Sequence, residues 1–249
     1  MNGRQYEFIP ALRWEGLTPL YDPLLRWVMR EDRFKRQLVR QANIRPGERV
    51  LDLGCGTGTL TILIKRLHPE SVVDGLDPDP RILDIARRKA NRSGVSVELD
   101  HGTATDMPYP DASFDKVLTS LVLHHLTGTA RQQALNEAFR VLRPGGQIHI
   151  ADFGPPHNRL AWLISRGMRR LEETAELIEG RLQDTMRAVG FERVESPSQF
   201  GTVFGTLNLL AGTKTPSGRG QARPAPEPLA EAVPDSDGLF RLCPHCEPR

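Results

Sequence analysis

Three alternating glycines are the residues in this sequence that most clearly suggest chemistry. Gly54, Gly56 and Gly58 follow an apolar run at residues 50–53 and precede a stretch with helical spacing. Glycines at a strand-to-helix turn let the backbone bend sharply and come close to a ligand. The helix that follows offers unpaired N–H groups and the positive end of its dipole. The pattern therefore predicts a cofactor-binding turn.

Two cofactor classes use such a turn, and the glycine spacing bears on the choice. A dinucleotide site has the spacing Gly-x-Gly-x-x-Gly. Here the third glycine comes one residue early, and position 59 is Thr. A phosphate-cradling loop would need a Gly-Lys-Ser or Gly-Lys-Thr sequence, which is absent. The spacing alone leaves the cofactor open, so the flanking residues must decide.

Polar residues also stand at or just beyond the ends of other predicted strands. Asp77 ends the second, His124 and His125 follow the fourth, and Asp152 lies near the end of the fifth. Ligands of open α/β sheets bind at these carboxyl ends. A histidine pair there could orient or deprotonate a substrate, or it could simply start a helix with one ring buried and one solvated. We expect Asp152 to face the pocket and His149 to be structural.

The three cysteines fall into two groups. Cys55 lies in the glycine turn, where we expect it to pack as a small apolar residue. Cys243 and Cys246 have the spacing of half a zinc site or of a dithiol redox pair. No second pair accompanies them, and His245 between them cannot easily complete the same tetrahedron. They are weak metal-binding candidates, and incidental thiols are the favoured interpretation.

The elements that position these residues alternate between short β-rich runs and longer helical runs. Strands are predicted at residues 49–54, 71–77, 95–99, 114–121 and 147–153, and helices at 59–68, 80–93 and 128–142. Asp79 is the predicted N-cap of the second of these helices. Two more helices (160–171 and 175–190) and a hairpin (191–199 and 204–213) follow, and a helix capped by Asp22 precedes the sheet. The alternation predicts an α/β fold with a mainly parallel sheet.

The run Asp52-Leu53-Gly54-Cys55-Gly56-Thr57-Gly58 resembles the first motif of the class I S-adenosylmethionine (SAM) dependent methyltransferases. Three further matches follow in order: Asp77, residues 102–115, and Leu142-Arg143-Pro144-Gly145-Gly146. The resemblance covers about residues 20–212 and is greatest to the ubiquinone/menaquinone-biosynthesis branch. It implies a doubly wound, mainly parallel sheet of seven strands with an antiparallel closing strand, and SAM as the cofactor.

The same resemblance implies a set of cofactor contacts. The Asp77 carboxylate would hold the ribose, because it can accept hydrogen bonds from two vicinal hydroxyls. Asp52 would help to hold the methionine end, and Tyr21 would either cover the cofactor or only pack. The implied cofactor-binding residues are Tyr21, Asp52, Gly54, Gly56, Gly58, Asp77, Pro78, Thr103, Ala104 and Ser120.

One position departs from the family pattern. The family usually has an aspartate directly before Ala104, where it accepts a hydrogen bond from the adenine amino group, but this chain has Thr103. A hydroxyl accepts a hydrogen bond without carrying charge, and Asp106 lies three residues further on. We expect SAM to bind with altered adenine contacts.

Composition and charge narrow the classes of protein to which this sequence can belong. The 249 residues carry a formal net charge of +2, which gives no electrostatic indication of a nucleic-acid partner. Three cysteines are too few for a disulfide-built secreted domain, and no signal peptide or transmembrane run is visible, so we expect a cytoplasmic protein. We predict a helical cap at residues 1–45, a SAM-binding domain at 46–213 and a disordered Pro-rich tail at 214–249.

The predicted function is methyl transfer from SAM to a small molecule, with His125, His124 and Asp152 as candidate catalytic residues. The N-terminal helix and residues 155–190 are candidates for a lid that selects the acceptor. A SAM sensor without catalysis and a nicotinamide-dependent oxidoreductase are the alternatives. A metalloid methyltransferase ranks below them, because only Cys55 lies in the folded part. The acceptor and the oligomeric state stay open.

Overall fold

A computed structural model describes residues 31–154, 181–202 and 205–215. These all belong to the first of the two units, Met1–Pro216 and Ser217–Arg249, into which the chain divides. The described helices are α1 (Glu31–Ala42), α2 (Thr59–Leu67), α3 (Pro80–Arg92), α4 (Gly128–Val141) and α5 (Arg181–Val189). The strands are β1 (Arg49–Leu53), β2 (Val72–Asp77), β3 (Glu98–His101), β4 (Phe114–Ser120), β5 (Leu142–Gly154), β6 (Glu192–Thr202) and β7 (Gly205–Thr213).

The seven strands form one sheet in the order β3-β2-β1-β4-β5-β7-β6. The pairs from β3 to β5 are parallel, and β7 runs antiparallel to both β5 and β6. The chain thus winds outward from β1 in both directions, and α2, α3 and α4 connect successive parallel strands. This confirms the doubly wound α/β fold with an antiparallel closing strand that the sequence predicts.

Both faces of the sheet are buried. One face packs against α4 and α5 through a cluster that includes Phe114 and Ile148. The opposite face packs against α1 and α2 through a cluster that includes Phe34 and Leu118. Burial on both sides explains why the parallel strands read as nearly continuous apolar runs. The described parts of the two predicted lid segments, α1 and α5, pack on the faces of the sheet.

Helix α3 begins and ends as predicted, but the next strand starts later than expected. The Asp79 side chain accepts a hydrogen bond from the Arg81 N–H, which confirms the N-cap. Gly94 then takes a left-handed φ of 65°, and the Val95 N–H donates to the carbonyl of Ala90. Because these residues finish the helix, the strand predicted at 95–99 was misplaced, and β3 covers Glu98–His101.

Strand β5 begins at Leu142, whereas the predicted strand begins at residue 147. It therefore includes residues 143–146, where a loop was expected. Leu142 pairs with Phe114 at its start, before a register irregularity. The Gly145 N–H donates to the Lys214 carbonyl, and the Lys214 N–H donates to the carbonyl of Gly146. These bonds to the end of β7 keep the Pro-Gly-Gly segment within the sheet, which local sequence could not show.

Because β1, β2, β4 and β5 are parallel, their carboxyl ends meet at one edge of the sheet, and most predicted site residues lie there. Among the helices in the described ranges, none is both long and apolar enough to cross a membrane.

Candidate active site

The glycine turn owes its shape to three left-handed backbone conformations. Gly54, Gly56 and Gly58 have φ values of 71°, 52° and 73°. Residues with a side chain rarely adopt such values, because the Cβ atom meets the backbone. The turn leaves β1 and enters α2 within six residues, so the sequence pattern follows directly from the backbone geometry.

The three glycines differ in the space around them. A Cβ atom on Gly54 would lie 2.4 Å from Cγ2 of Val122, and one on Gly58 would lie 3.1 Å from Cβ of Ala86. A Cβ atom on Gly56 would meet nothing within 4 Å. Gly54 and Gly58 are therefore required for packing, whereas Gly56 borders open space that a ligand can enter.

Asp77 is held beside this open space by two backbone groups. The Gly56 N–H donates to its Oδ2 at 2.9 Å, and the Asp79 N–H donates to its Oδ1 at 3.0 Å. Burial raises the pKa of Asp77, and these two hydrogen bonds oppose the rise. The bonds fix the orientation of the carboxylate, and its remaining lone pairs are available to hydroxyl donors.

Asp52 lies under the turn at 1% exposure. The Thr61 hydroxyl donates to its Oδ2 at 2.6 Å. Burial raises the pKa of Asp52 to about 6, although the bond from Thr61 and the charge of Lys35 oppose the increase. Thr61 is the partner that a buried carboxylate requires, and sequence inspection did not identify it.

The predicted adenine segment forms the neighbouring loop. Thr103 and Asp106 are both exposed and form an isolated bridge, and the Thr103 hydroxyl lies 3.3 Å from that of Thr105. Ala104 is partly buried against the core. The Pro78 carbonyl lies 3.0 Å from Nε2 of His101. The structure thus places the predicted ribose and adenine segments at the adjacent ends of β2 and β3.

Asp152 and His124 form a direct side-chain contact at the carboxyl ends of β5 and β4. Asp152 is 2% exposed, and its Oδ1 lies 2.8 Å from Nδ1 of His124. Burial alone would raise the pKa of Asp152, but the charge and hydrogen bond of His124, with the N–H groups of Phe153 and Leu123, lower it overall. An ionised carboxylate only accepts hydrogen bonds, so Nδ1 of His124 carries a proton and donates to Asp152.

His125 follows in the same 3-10 turn, Leu123–His125. Its ring centroid lies 3.9 Å from that of His124, at an interplanar angle of 41°. Partial burial, together with the neighbouring His124, lowers the pKa of His125, although the residue as a whole is exposed. Its imidazole is therefore neutral near pH 7 and lies tilted against the His124 ring.

Arg131 of α4 stabilises this turn by hydrogen bonds to its backbone. It is 4% exposed, and its guanidinium donates to the carbonyls of Leu123 at 3.2 Å and of Leu126 at 2.8 Å. Arg131 was not among the predicted site residues, although its position in the sequence of α4 could have indicated it. Arg131 occupies the apolar stripe of α4 with Ala134 and Ala138, where a charged residue requires buried partners.

Several buried polar atoms at the same edge lack a hydrogen-bond partner within the described residues. They are Oγ1 of Thr119 and Oγ of Ser120 on β4, and Oδ1 of Asn208 on β7. Buried polar atoms normally have partners, so unpartnered ones mark places where a ligand can bind. Of the three, only Ser120 was a predicted site residue.

Some predicted site features cannot be placed. Tyr21, residues 155–180 of the predicted lid segment 155–190, Cys243 and Cys246 lie outside the described residues. Cys55 is buried, and burial raises the pKa of its thiol, as expected for a packed apolar side chain. Within the described ranges, no group of three metal-binding side chains comes together.

The residues at this edge fit SAM in three respects. The open space at Gly56 admits a ligand against the backbone, the Asp77 carboxylate is oriented beside it, and Ser120 presents an unpartnered hydroxyl. The methyltransferase-domain family model matches residues 50–146, from β1 into β5. The chain belongs to the class I SAM-dependent methyltransferases.

Curated relatives point to one branch of this family. The chain is 36% identical over 153 residues to a demethylmenaquinone methyltransferase of Deinococcus radiodurans, an alignment that covers 61% of this chain and 63% of that protein. It is 35% identical to a protein of the same name in Thermus thermophilus, over 60% of this chain and 68% of the relative. The chain therefore spans about two thirds of the length of these relatives.

Solved structures agree on the fold. The crystal structure of a SAM-dependent methyltransferase from Aquifex aeolicus superposes with a TM-score of 0.57 and 17% identity. The match covers 80% of this chain and 97% of that one. Because the chain belongs to this family, the oxidoreductase alternative is set aside.

Proposed function

We propose that the protein transfers the methyl group of SAM to a ring carbon of a small aromatic hydroquinone. The contact that carries this proposal is the 2.8 Å pair of His124 Nδ1 and Asp152 Oδ1 at the carboxyl ends of β4 and β5. The names of the relatives from Deinococcus radiodurans and Thermus thermophilus supply the quinone class of acceptor. We infer a cytoplasmic location on the sequence evidence alone.

The cofactor is held by the turn at Gly54–Gly58, with Asp77 for the ribose, Asp52 supporting the methionine end, and Pro78, Thr103 and Ala104 beside the adenine. When bound, SAM supplies an electrophilic methyl group that needs no further activation. The task of the protein is then to align the acceptor, to exclude water and to prepare the acceptor for attack.

His124 prepares the acceptor by taking a proton. Nε2 of His124 accepts the proton of a ring hydroxyl, and the electron pair left on that oxygen makes the adjacent ring carbon nucleophilic. That carbon bonds to the methyl group as the sulfur–methyl bond breaks with its electron pair on sulfur. Loss of the proton on that carbon, with return of a proton from His124 to the oxygen, restores the aromatic hydroquinone. Asp152 holds the ring of His124 and stabilises the imidazolium that forms, as the carboxylate does in other Asp-His pairs. The His125 ring lies tilted against the His124 ring and limits its rotation.

Arg131 and Val122 connect this step to the cofactor turn. Arg131 holds the carbonyls on both sides of the histidines, and Val122, just before them, packs against Gly54. The proton acceptor and the cofactor turn are therefore fixed relative to each other by direct contacts.

The test is methyl transfer from labelled SAM to 1,4-dihydroxynaphthalene, kept reduced under anaerobic conditions. We expect label on a ring carbon with the wild-type protein and transfer slower by about 100- to 10,000-fold with His124→Gln. If the protein binds SAM tightly yet transfers no label to any of several hydroquinones, catalysis of this kind is wrong, and the sensor alternative takes its place.

A further inference from the structure

Asn208 on β7 is a buried polar residue that the proposed reaction does not yet use. It is 5% exposed, and its Oδ1 has no hydrogen-bond partner among the described residues. A buried amide oxygen without a partner is unfavourable, and native proteins retain few of them. This cost makes Asn208 a candidate for contact with a ligand.

The sheet register places Asn208 beside the proton-accepting pair. Asn208 lies directly opposite Asp152 in the antiparallel β5–β7 ladder. Side chains of directly opposed residues emerge on the same face of a sheet. Since β4 and β7 lie on opposite sides of β5, Asn208 stands one strand beyond Asp152, on the side away from the glycine turn.

Gly154 gives the Asn208 amide its position. A Cβ atom on Gly154 would lie 2.0 Å from Nδ2 of Asn208 and 2.6 Å from its Cγ. The amide therefore occupies the space above Gly154, at the carboxyl end of β5. Gly154 is required there because any side chain would displace the amide, and this links two residues that are 54 positions apart in the sequence.

We propose that Asn208 determines acceptor specificity: its Oδ1 accepts a hydrogen bond from a second hydroxyl of the aromatic acceptor. This inference rests on the proposed function, in which His124 takes the proton of the first hydroxyl. A hydroquinone carries a donor at both oxygens, whereas an oxidised quinone has only acceptors. Asn208 thereby selects the reduced, doubly hydroxylated ring, since an acceptor that lacks the donor leaves a buried amide oxygen unpaired.

The experiment compares 1,4-dihydroxynaphthalene with 1-naphthol, which lacks the second hydroxyl. We expect the wild-type kcat/KM to favour the diol by about 10- to 100-fold. Asn208→Leu should reduce this ratio to near one by lowering activity on the diol while leaving 1-naphthol little changed. Gly154→Ala should reduce the ratio in the same way, because the added methyl displaces the amide. The matched control is Asn91→Leu, which removes an exposed amide from α3 and should leave the ratio unchanged.

The outcomes separate the two proposals. If wild-type protein methylates neither probe, the proposed function is wrong, and the role of Asn208 falls with it. If wild-type protein methylates the diol but Asn208→Leu keeps the wild-type ratio, only the role of Asn208 is wrong. An equal loss on both probes would also overturn it, since that is the result of a purely structural role. Should Asn208→Leu fail to fold, Gly154→Ala decides by the same ratio.

Discussion

The cofactor half and the acceptor half of the site are built in different ways. The cofactor half comes from consecutive residues, 52–58, with Asp77 at the end of the adjacent strand. Its hydrogen bonds join backbone N–H groups to one carboxylate. The acceptor half comes from residues on β5, on β7 and in the turn after β4, which are far apart in the sequence.

The proposed contacts to the cofactor would therefore depend mainly on the backbone, and those to the acceptor mainly on side chains. In the proposed function the glycine turn holds SAM through its backbone shape, so few sequences can replace it. The acceptor is held through side chains on a common sheet edge, where replacing one residue changes the chemistry and keeps the fold. The contact of Gly54 with Val122 is where the two halves meet. The following predictions test how independent they are.

The largest expected effect is in the acceptor half. His124→Gln removes the proton acceptor, so kcat should fall by about 100- to 10,000-fold, while the dissociation constant of SAM stays unchanged by calorimetry. His68→Gln, at the end of α2, is the matched control and should keep wild-type activity. A loss of SAM affinity as large as the loss of kcat would show that the halves are not independent.

In the cofactor half, Gly56→Ala should weaken SAM binding by about 5- to 150-fold, because overpacking by a methyl group costs about 1–3 kcal/mol. Gly47→Ala is a close control. Gly47 also has a positive φ, 79°, and open space around its Cβ position, but it lies between α1 and β1. Both variants should lose similar stability in urea unfolding, and only Gly56→Ala should lose SAM affinity. Equal SAM affinity in both would contradict a ligand at Gly56.

Asp52→Asn tests how much the buried charge of Asp52 destabilises the folded protein. Because burial raises the pKa of Asp52 from 3.8 to about 6, the folded state favours the protonated carboxyl. That contribution is complete below pH 4 and is lost as the pH rises through 6. The variant should therefore match wild-type stability near pH 4 and exceed it by about 1–3 kcal/mol at pH 7, while binding SAM more weakly. Urea unfolding across this pH range measures the gain, and a gain that does not change with pH would refute the assignment.

The smallest expected effect comes from the support of the histidine turn. Arg131→Met removes the guanidinium hydrogen bonds to the carbonyls of Leu123 and Leu126 and should lower the free energy of unfolding by about 1–2 kcal/mol. Activity should fall because the turn is less ordered, with SAM affinity unchanged. Arg88→Met, at an exposed position on α3, should change neither quantity. Unchanged activity in Arg131→Met would mean that the turn is held by its other contacts.

The sequence predicted the elements well where the signals are local. The N-cap at Asp79 and the glycine turn depend on a few adjacent residues, and both appear as predicted. The start of β3 and the extent of β5 were wrong, because pairing with Asp74 and Phe114 sets them from distant parts of the chain. Strand boundaries depend on the neighbouring strand, which a single sequence does not show.

The candidate site residues also differ in how far local sequence could identify them. His124 and Asp152 were each predicted for the pocket, but no spacing rule joins residues 28 positions apart, and their pairing depends on the parallel β4–β5 register. Asn208 and Arg131 went unnoticed because an ordinary amide and an ordinary arginine become unusual only when they are buried.

By itself, the sequence determined the cofactor half, because left-handed glycines and a capped helix are local backbone preferences that adjacent residues impose. Only the tertiary structure decided the acceptor half. Strand register brings Asp152 to His124 and to Asn208. His124 and the backbone N–H groups lower the pKa of Asp152 despite its burial, and Oδ1 of the buried Asn208 is left unpartnered within the part of the chain that the structure describes. Burial and register are properties of the whole sheet, which is why adjacent residues sufficed to predict the glycine turn, whereas the side-chain arrangement of the acceptor half required the fold.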